Sequence, residues 1–433
     1  MTDTPAAFGL RRSEVGLLLI AAIVARALAA LSHPPAFGAG WGGEMPAVAW
    51  SLARGMGFAS PFLTNTGPTA LVPPLYPFLL SGLFRLVGYT PLAGMVATGV
   101  NVLLSSFVVL PLYSMGNRLF GTRCAWITAW AWTLYPLTGY TDAQFVWNTS
   151  LYTLLLTSFL ALTFALDATS SRRRWIAYGT LTALLVLTDT VSLAVVVPSA
   201  LWLLTQPVNR RGLGVAMLIV VVPQAAWLVR THARFGQFIF LRSGLGLELS
   251  VGVRDYEFRD DRPLSLPNRN PDELQRYATL GEVAYVRERG ASAITWIAAH
   301  PRDYLRRVAM RIVRFWTGWG QAGKIYLWYG RFVVLKTLLY SIPVLGTLVC
   351  LVRMRHERSQ AFWLLVAIFA LYPVVYYLTH ELPRYRLPLE PLMICLTTYA
   401  LVGVVWPAVR RGGAPRDVRA APAGGRRDPE APA

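Results

Sequence analysis

Residues 41–58 read WGGEMPAVAWSLARGMGF, and residues 59–77 continue ASPFLTNTGPTALVPPLYP. Trp41-Gly-Gly-Glu44 follows an apolar run directly and carries a single carboxylate, Glu44. Beyond it, Met45–Phe58 has the spacing of a short amphipathic helix that ends in glycines. A turn-rich segment then leads through Pro73-Pro-Leu-Tyr-Pro77 into a second amphipathic piece at residues 74–89. An acid held at a membrane surface between two elements that do not fully cross is where chemistry would be placed. The remaining chain reads as scaffold around it.

The composition supports a membrane setting. The 433 residues are 55% hydrophobic and 15% charged, with a mean hydropathy of +0.44. A soluble fold of this length cannot cover so much apolar surface. Spans are expected at about 14–32, 91–114, 124–140, 145–166, 174–188, 190–205, 212–230, 331–352, 360–379 and 387–407. With ten spans and an inside N-terminus, the basic clusters fall on the cytoplasmic side, from Arg11-Arg12 and Arg172-Arg173-Arg174 to Arg210-Arg211 and Arg410-Arg411. Counting residues 74–89 as a further span would put every later basic loop outside, so that piece is expected to lie along the outer leaflet. Arg26 interrupts the first apolar run, which favours an uncleaved span over a signal peptide. The 15 Trp and 19 Tyr suit the interface, and the net charge of +19 is spent on topology and anionic lipid. No nucleic-acid motif accompanies that charge. The three cysteines, Cys124, Cys350 and Cys395, have no CxxC or Cys/His spacing, which argues against disulfides and zinc.

The fold class expected is therefore an all-α polytopic membrane protein of about ten spans. Its membrane unit is residues 1–406, with a first outward loop at 33–90 bearing amphipathic helices, and a disordered basic cytoplasmic tail follows at 407–433. A larger outward segment of mixed structure occupies residues 231–330 between spans seven and eight. It opens on a strand-like patch, Phe238–Glu248, and continues through a polar loop, Arg254–Asp272. It then forms a predicted helix over Ala291–Trp316, with Arg302, Arg306, Arg307, Arg311 and Arg314 opposite an apolar face. That pattern suits a helix lying on anionic headgroups.

Glu44 is the first candidate for chemistry, as a general base that takes a proton from an acceptor hydroxyl. The plain alternative is a carboxylate favoured by the positive end of a helix. Asp142, in the outward turn Tyr140–Gln144, is a second acid, with a capping role as its alternative. Asp189 is read as a turn or cap residue. Arg230 and Arg242 form one outward basic site, and His380-Glu381-Leu-Pro-Arg384-Tyr385-Arg386 forms another. Guanidinium groups grip phosphate oxygens in pairs, so Arg230, Arg242, Arg384 and Arg386 are candidates for a phosphate. Arginines at helix ends also snorkel, which is the alternative for each alone. Tyr76, Trp147, His380, Glu381 and Tyr385 are expected to line the substrate pocket. No ligand set demands a metal, although a divalent ion is left open, and no Gly-rich phosphate loop or Ser/His/Asp arrangement occurs.

In order and spacing, these features resemble the GT-C membrane glycosyltransferases. The carriers of the resemblance are Glu44, the run from Ala49 to Phe58, Pro73–Pro77, Trp227-Leu-Val-Arg230, and Pro383–Pro391. More narrowly they resemble glycosyltransferase family 39, with its protein mannosyltransferases and aminoarabinose transferases. The resemblance covers about residues 15–406. It implies an inverting transferase of the bacterial inner membrane, with its site at the periplasmic face. A sugar would pass from a polyprenyl-phosphate carrier to a glycan, lipid or protein acceptor, with Glu44 matching the catalytic acid and Arg230 the carrier arginine. Two departures stand out: many relatives carry Asp-Glu where this chain has Gly43-Glu44, and an acid where it has Asn148. The competing readings are a transporter or flippase of a lipid-linked sugar and a catalytically inactive assembly partner.

Overall fold

A computed structural model describes residues 12–32, 43–144, 146–254, 266–319 and 332–405. Trp41, Gly42, most of the polar loop after Arg254 and the expected tail at 407–433 lie outside the described residues. Among the described residues the elements are helical, and one isolated bridge pairs Ala59 with Pro68.

In chain order the helices are α1 (Arg12–Ser32), α2 (Glu44–Ala53), α3 (Leu75–Val87), α4 (Pro91–Phe107), α5 (Val109–Phe120), α6 (Thr122–Thr133) and α7 (Pro136–Gln144). There follow α8 (Thr149–Ala165), α9 (Arg172–Thr188), α10 (Leu193–Thr205), α11 (Arg210–Phe235), α12 (Leu245–Arg254), α13 (Pro271–Leu280) and α14 (Glu282–Ala299). The last are α15 (Pro301–Thr317), α16 (Phe332–His356), α17 (Ala361–Leu371), α18 (Val374–Leu378) and α19 (Glu390–Val405).

Among the described residues, five helical stretches are long and apolar enough to cross a membrane: Ser13–Ser32, Pro91–Phe120, Arg210–Phe235, Val334–His356 and Ala361–Leu378. The other expected spans correspond to α6, α8, α9, α10 and α19, of 12 to 17 residues. At about 1.5 Å per residue these are shorter than a ~30 Å hydrocarbon core. Proline accounts for three of the breaks. Pro111 cannot donate to the Phe107 carbonyl and separates α4 from α5, Pro136 ends the run after α6, and Pro373 divides α17 from α18. Leu17, Ile20, Val24, Leu28 and Leu31 lie exposed along α1, as expected for a lipid-facing stripe.

Small residues set the closest packing. A Cβ at Gly179 would sit 2.8 Å from the Ala216 backbone, so α9 and α11 are held together by the absence of a side chain. α3 has 13 residues, shorter than a helix that spans the ~30 Å core by itself.

The segment expected to face outward, residues 231–330, departs from expectation in its structure. It is built of four helices, α12 to α15, and contains no strand among its described residues. Phe238–Arg242 finds no partner strand: Ile239 N donates to Thr231 Oγ1, and the Leu241 carbonyl accepts from Trp227 Nε1. Leu245 onward is helical, and the predicted helix over Ala291–Trp316 is two helices divided at His300-Pro301. Pro301 lacks the N–H that would continue α14 and takes the first position of α15 instead.

Candidate functional site

Glu44 begins α2. Gly43 precedes it with φ +66°, a left-handed value that glycine adopts freely, and turns the chain sharply into the helix. A Cβ on Gly43 would lie 3.1 Å from the Trp147 ring. The half-buried Glu44 carboxylate accepts from Asn268 Nδ2 at 3.2 Å. Burial raises its pKa and Glu248 adds to the rise, while Arg384 and Arg242 oppose it. Both guanidinium groups therefore act electrostatically on Glu44.

Arg242 and Glu248 come from either side of the turn into α12. Their side chains, 28% and 29% exposed, meet at 2.7 Å, and Arg242 Nε also donates to the Leu71 carbonyl at 2.9 Å. Burial would raise the Glu248 pKa, but His380 and Arg242 hold it below the ordinary value. His380 Nδ1 stands 3.4 Å from Glu248, and the Tyr385 hydroxyl lies 3.0 Å from His380 Nε2. Burial lowers the His380 pKa against the pull of Glu248. The Arg384 guanidinium sits 4.6 Å above the Trp147 ring and 5.4 Å from that of Tyr385. Asn148, next to Trp147, donates to the Thr188 carbonyl at 2.8 Å and so brings the α9–α10 tip to the same place. Asp189 at that tip feels Arg242 and Glu248.

Arg230 belongs to an adjoining pocket. Its two terminal nitrogens donate to the Thr69 and Phe58 carbonyls at 2.7 Å each, and its plane packs against Trp227 and Phe58. It lines a cavity of about 600 Å³, together with Leu52, Phe78, Pro223 and Arg234. The structure thus places Arg230 beside an apolar chamber rather than against Glu44. Carbonyls occupy part of its donor capacity and leave the rest for a ligand.

The structure sets four sequence candidates elsewhere. Arg386 is buried and fully engaged, by Glu390 at 2.7 Å and by the carbonyls of Tyr340, Phe315 and Trp316. Its geometry corrects the phosphate assignment, because its planar fork ties residues 383–389 to α15 and α16. Asp142 is buried within the bundle, takes the Ser150 hydroxyl at 2.6 Å, and faces Arg26 at 3.8 Å. Arg26 in turn binds Ser105 and the Trp132 and Thr133 carbonyls, so Asp142 serves there as a counter-charge. Tyr76 joins the same interior cluster through Asn101 at 3.2 Å. Glu381 is buried beside Arg314 at 3.6 Å; burial raises its pKa and Arg314 opposes the rise.

Two contributors escaped sequence reasoning. Glu248 had a legible signal, an acid six residues after Arg242 in an otherwise apolar and glycine-rich run. Asn268 stands in a polar loop with nothing to mark it. Among the described residues, no three His, Cys, Asp or Glu side chains converge as a metal site would require.

Comparison with known proteins adds a family signal. Residues 71–232 match the family model described as dolichyl-phosphate-mannose-protein mannosyltransferase. No curated protein matches in sequence. In structure, the chain is similar to the archaeal oligosaccharyltransferase AglB from Archaeoglobus fulgidus, solved with an inhibitory peptide and a dolichol-phosphate. That alignment has a TM-score of 0.54 at 13% identity and covers 94% of this chain and 52% of that one. The same enzyme solved with Zn and sulfate aligns at 0.54 and 14% identity, covering 91% and 50%. This chain thus spans about half the length of those enzymes. ArnT from Cupriavidus metallidurans, bound to undecaprenyl phosphate, aligns at 0.40 and 15% identity over 92% and 79%, too loosely to weigh in the assignment. Residues 71–232 thus carry the family signal, and the likeness to AglB shows a shared helical fold.

Proposed function

We propose that the protein moves a sugar from a polyprenyl-phosphate carrier to a hydroxyl acceptor at the outer face of a bacterial inner membrane. The observation that carries this reading is the Glu44 carboxylate, set at the start of an outward-loop helix within the electrostatic reach of Arg242 and Arg384. A carboxylate with a raised pKa is a competent base near neutral pH. As the acceptor oxygen bonds to the anomeric carbon, Glu44 takes its proton and the bond from that carbon to the phosphate oxygen breaks. Attack from the face opposite the phosphate inverts the centre, by analogy with inverting glycosidases. Arg384 and Arg242 face the charge that grows on the departing phosphate. The chamber beside Arg230 suits an apolar polyprenyl chain, with Arg230 at its polar end. The shared fold with a protein solved holding a dolichol-phosphate supports a lipid-linked donor.

Trp147 and Tyr385 would wall the sugar site, since aromatic faces pack against the apolar faces of pyranose rings. Gly43 has a reading of its own here. Its positive φ, and the Trp147 ring 3.1 Å from where a Cβ would stand, strain any second acid there, so the base role falls to Glu44.

Glu44→Gln tests the reading. Sugar transfer from a polyprenyl-phosphate donor should fall by at least about 100-fold, the scale of losing a general base, with carrier binding retained. A flippase would tolerate the change, and undiminished transfer by the variant would remove Glu44 from the chemistry.

A further inference from the structure

Three consecutive residues, Thr69-Ala70-Leu71, lie between the two arginine sites. The Thr69 carbonyl accepts from Arg230 Nη1 at 2.7 Å. The Ala70 carbonyl accepts from Ser243 N at 2.9 Å, and the Leu71 carbonyl accepts from Arg242 Nε at 2.9 Å. One short backbone run therefore binds both Arg230, at the apolar chamber, and Arg242.

Glu282, the first residue of α14, holds that run from behind. It is 3% exposed. One carboxylate oxygen accepts from Ala70 N and from the Ser243 hydroxyl, at 2.7 Å each. The other accepts from the Thr69 hydroxyl and from the Tyr277 hydroxyl, the latter at 2.7 Å. An ionised carboxylate offers about four acceptor directions and no donor. Here donors from three segments fill it: the α2–α3 loop, the turn after α11, and α13. Hydrogen bonds to a charged acceptor are the stronger kind, and four donors, three of them on buried residues, would lose their partner together if it were removed.

We infer that Glu282 is a positioning residue for the transfer site, which through residues 69–71 fixes Arg230 and Arg242 relative to each other. It touches neither arginine. It acts through the backbone that both of them grip, so helices α13 and α14 set the spacing between Arg230 and Arg242. The kinetic part of this inference rests on the proposed transferase reading; its structural part stands on the hydrogen bonds alone.

The test compares Glu282→Ala and Glu282→Gln in the full chain, reconstituted in lipid nanodiscs. Glu288→Ala, in an exposed pair with Arg276, is the reference. Hydrogen exchange is read over residues 66–72 and 239–246. In Glu282→Ala both segments should exchange about tenfold faster together, with α16 unchanged. In Glu282→Gln they should stay near wild type, because the amide oxygen keeps Ala70 N and the hydroxyls of Thr69 and Tyr277 can turn to accept from its NH2. With a polyprenyl-phosphate sugar as substrate, Glu282→Ala should raise KM and lower kcat, by about tenfold each. Arg230→Ala should move KM alone. Faster exchange confined to α13 and α14, or unchanged kinetics in Glu282→Ala, would overturn the inference. If wild type transfers no sugar, the transferase reading fails, and the paired exchange response still decides the coupling.

Discussion

At Glu44, burial strips a carboxylate of hydration and raises its pKa, Glu248 repels its charge and adds to the rise, and Arg384 and Arg242 oppose it. A base must be deprotonated to act, so activity falls as pH drops through the Glu44 pKa. The acid limb of kcat/KM should lie above the ordinary carboxylate range. Removing the like charge with Glu248→Gln should move that limb to lower pH, because both the loss of repulsion and the freed Arg242 favour ionised Glu44. Arg384→Gln should move it to higher pH. Shifts of about half a unit to one unit are expected from single neighbouring charges, read from pH–rate profiles. Opposite signs would mean that another group sets the limb. Gly43→Asp should lower activity: the left-handed backbone strains a side chain by about 1–2 kcal/mol, and a Cβ there would stand 3.1 Å from the Trp147 ring. Glu44 itself was legible, as the lone acid after an apolar run. The misplacement of Arg386 and Asp142 has a common cause: sequence shows that a charge is outward-lying or polar, but not which buried partner already neutralises it.

Among the elements, α12 matters most to the site, because it presents Glu248 to Arg242 and His380. It approaches the segment after α18 so closely that a Cβ on Gly252 would collide with the Thr379 carbonyl and stand 3.0 Å from Arg311 Nη2. Arg311 clamps the same contact, donating to the Gly252, Tyr377 and Leu378 carbonyls. Gly252→Ala should push α12 away and lower kcat/KM by at least about tenfold, since small misplacements of reacting groups are costly. Gly214→Ala in α11, where nothing lies within 4 Å, should be near neutral. Equal effects of the two changes would dissociate α12 from the site. The first residues of α12, Leu245–Glu248, were read from sequence as the end of a strand-like patch, Phe238–Glu248, because Phe238-Ile-Phe-Leu is apolar at every position and short apolar runs carry no period. The division at His300-Pro301 was legible in principle, since proline cannot extend the helix before it.

For the whole molecule, hydrophobic pattern and basic clusters gave the helical membrane class and kept α3 from being counted as a span. They did not give helix lengths, because several apolar runs end at prolines or turns inside the run. The proposed topology puts Asn65 outside and Arg173 inside, and both positions are exposed. The native cysteines are buried and free, so they should contribute little background. A cysteine at position 65 should react with an impermeant maleimide in intact cells, and one at 173 only after permeabilisation. Reaction of both in intact cells would contradict the arrangement. The central claim, that Glu44 and the facing arginines form one glycosyl-transfer site, is tested most directly by purified protein given a panel of radiolabelled polyprenyl-phosphate sugars with membrane extract. The account predicts that one donor loses its label to an acceptor in wild type and keeps it in Glu44→Gln. No label transfer from any donor, or equal transfer by both proteins, would contradict it.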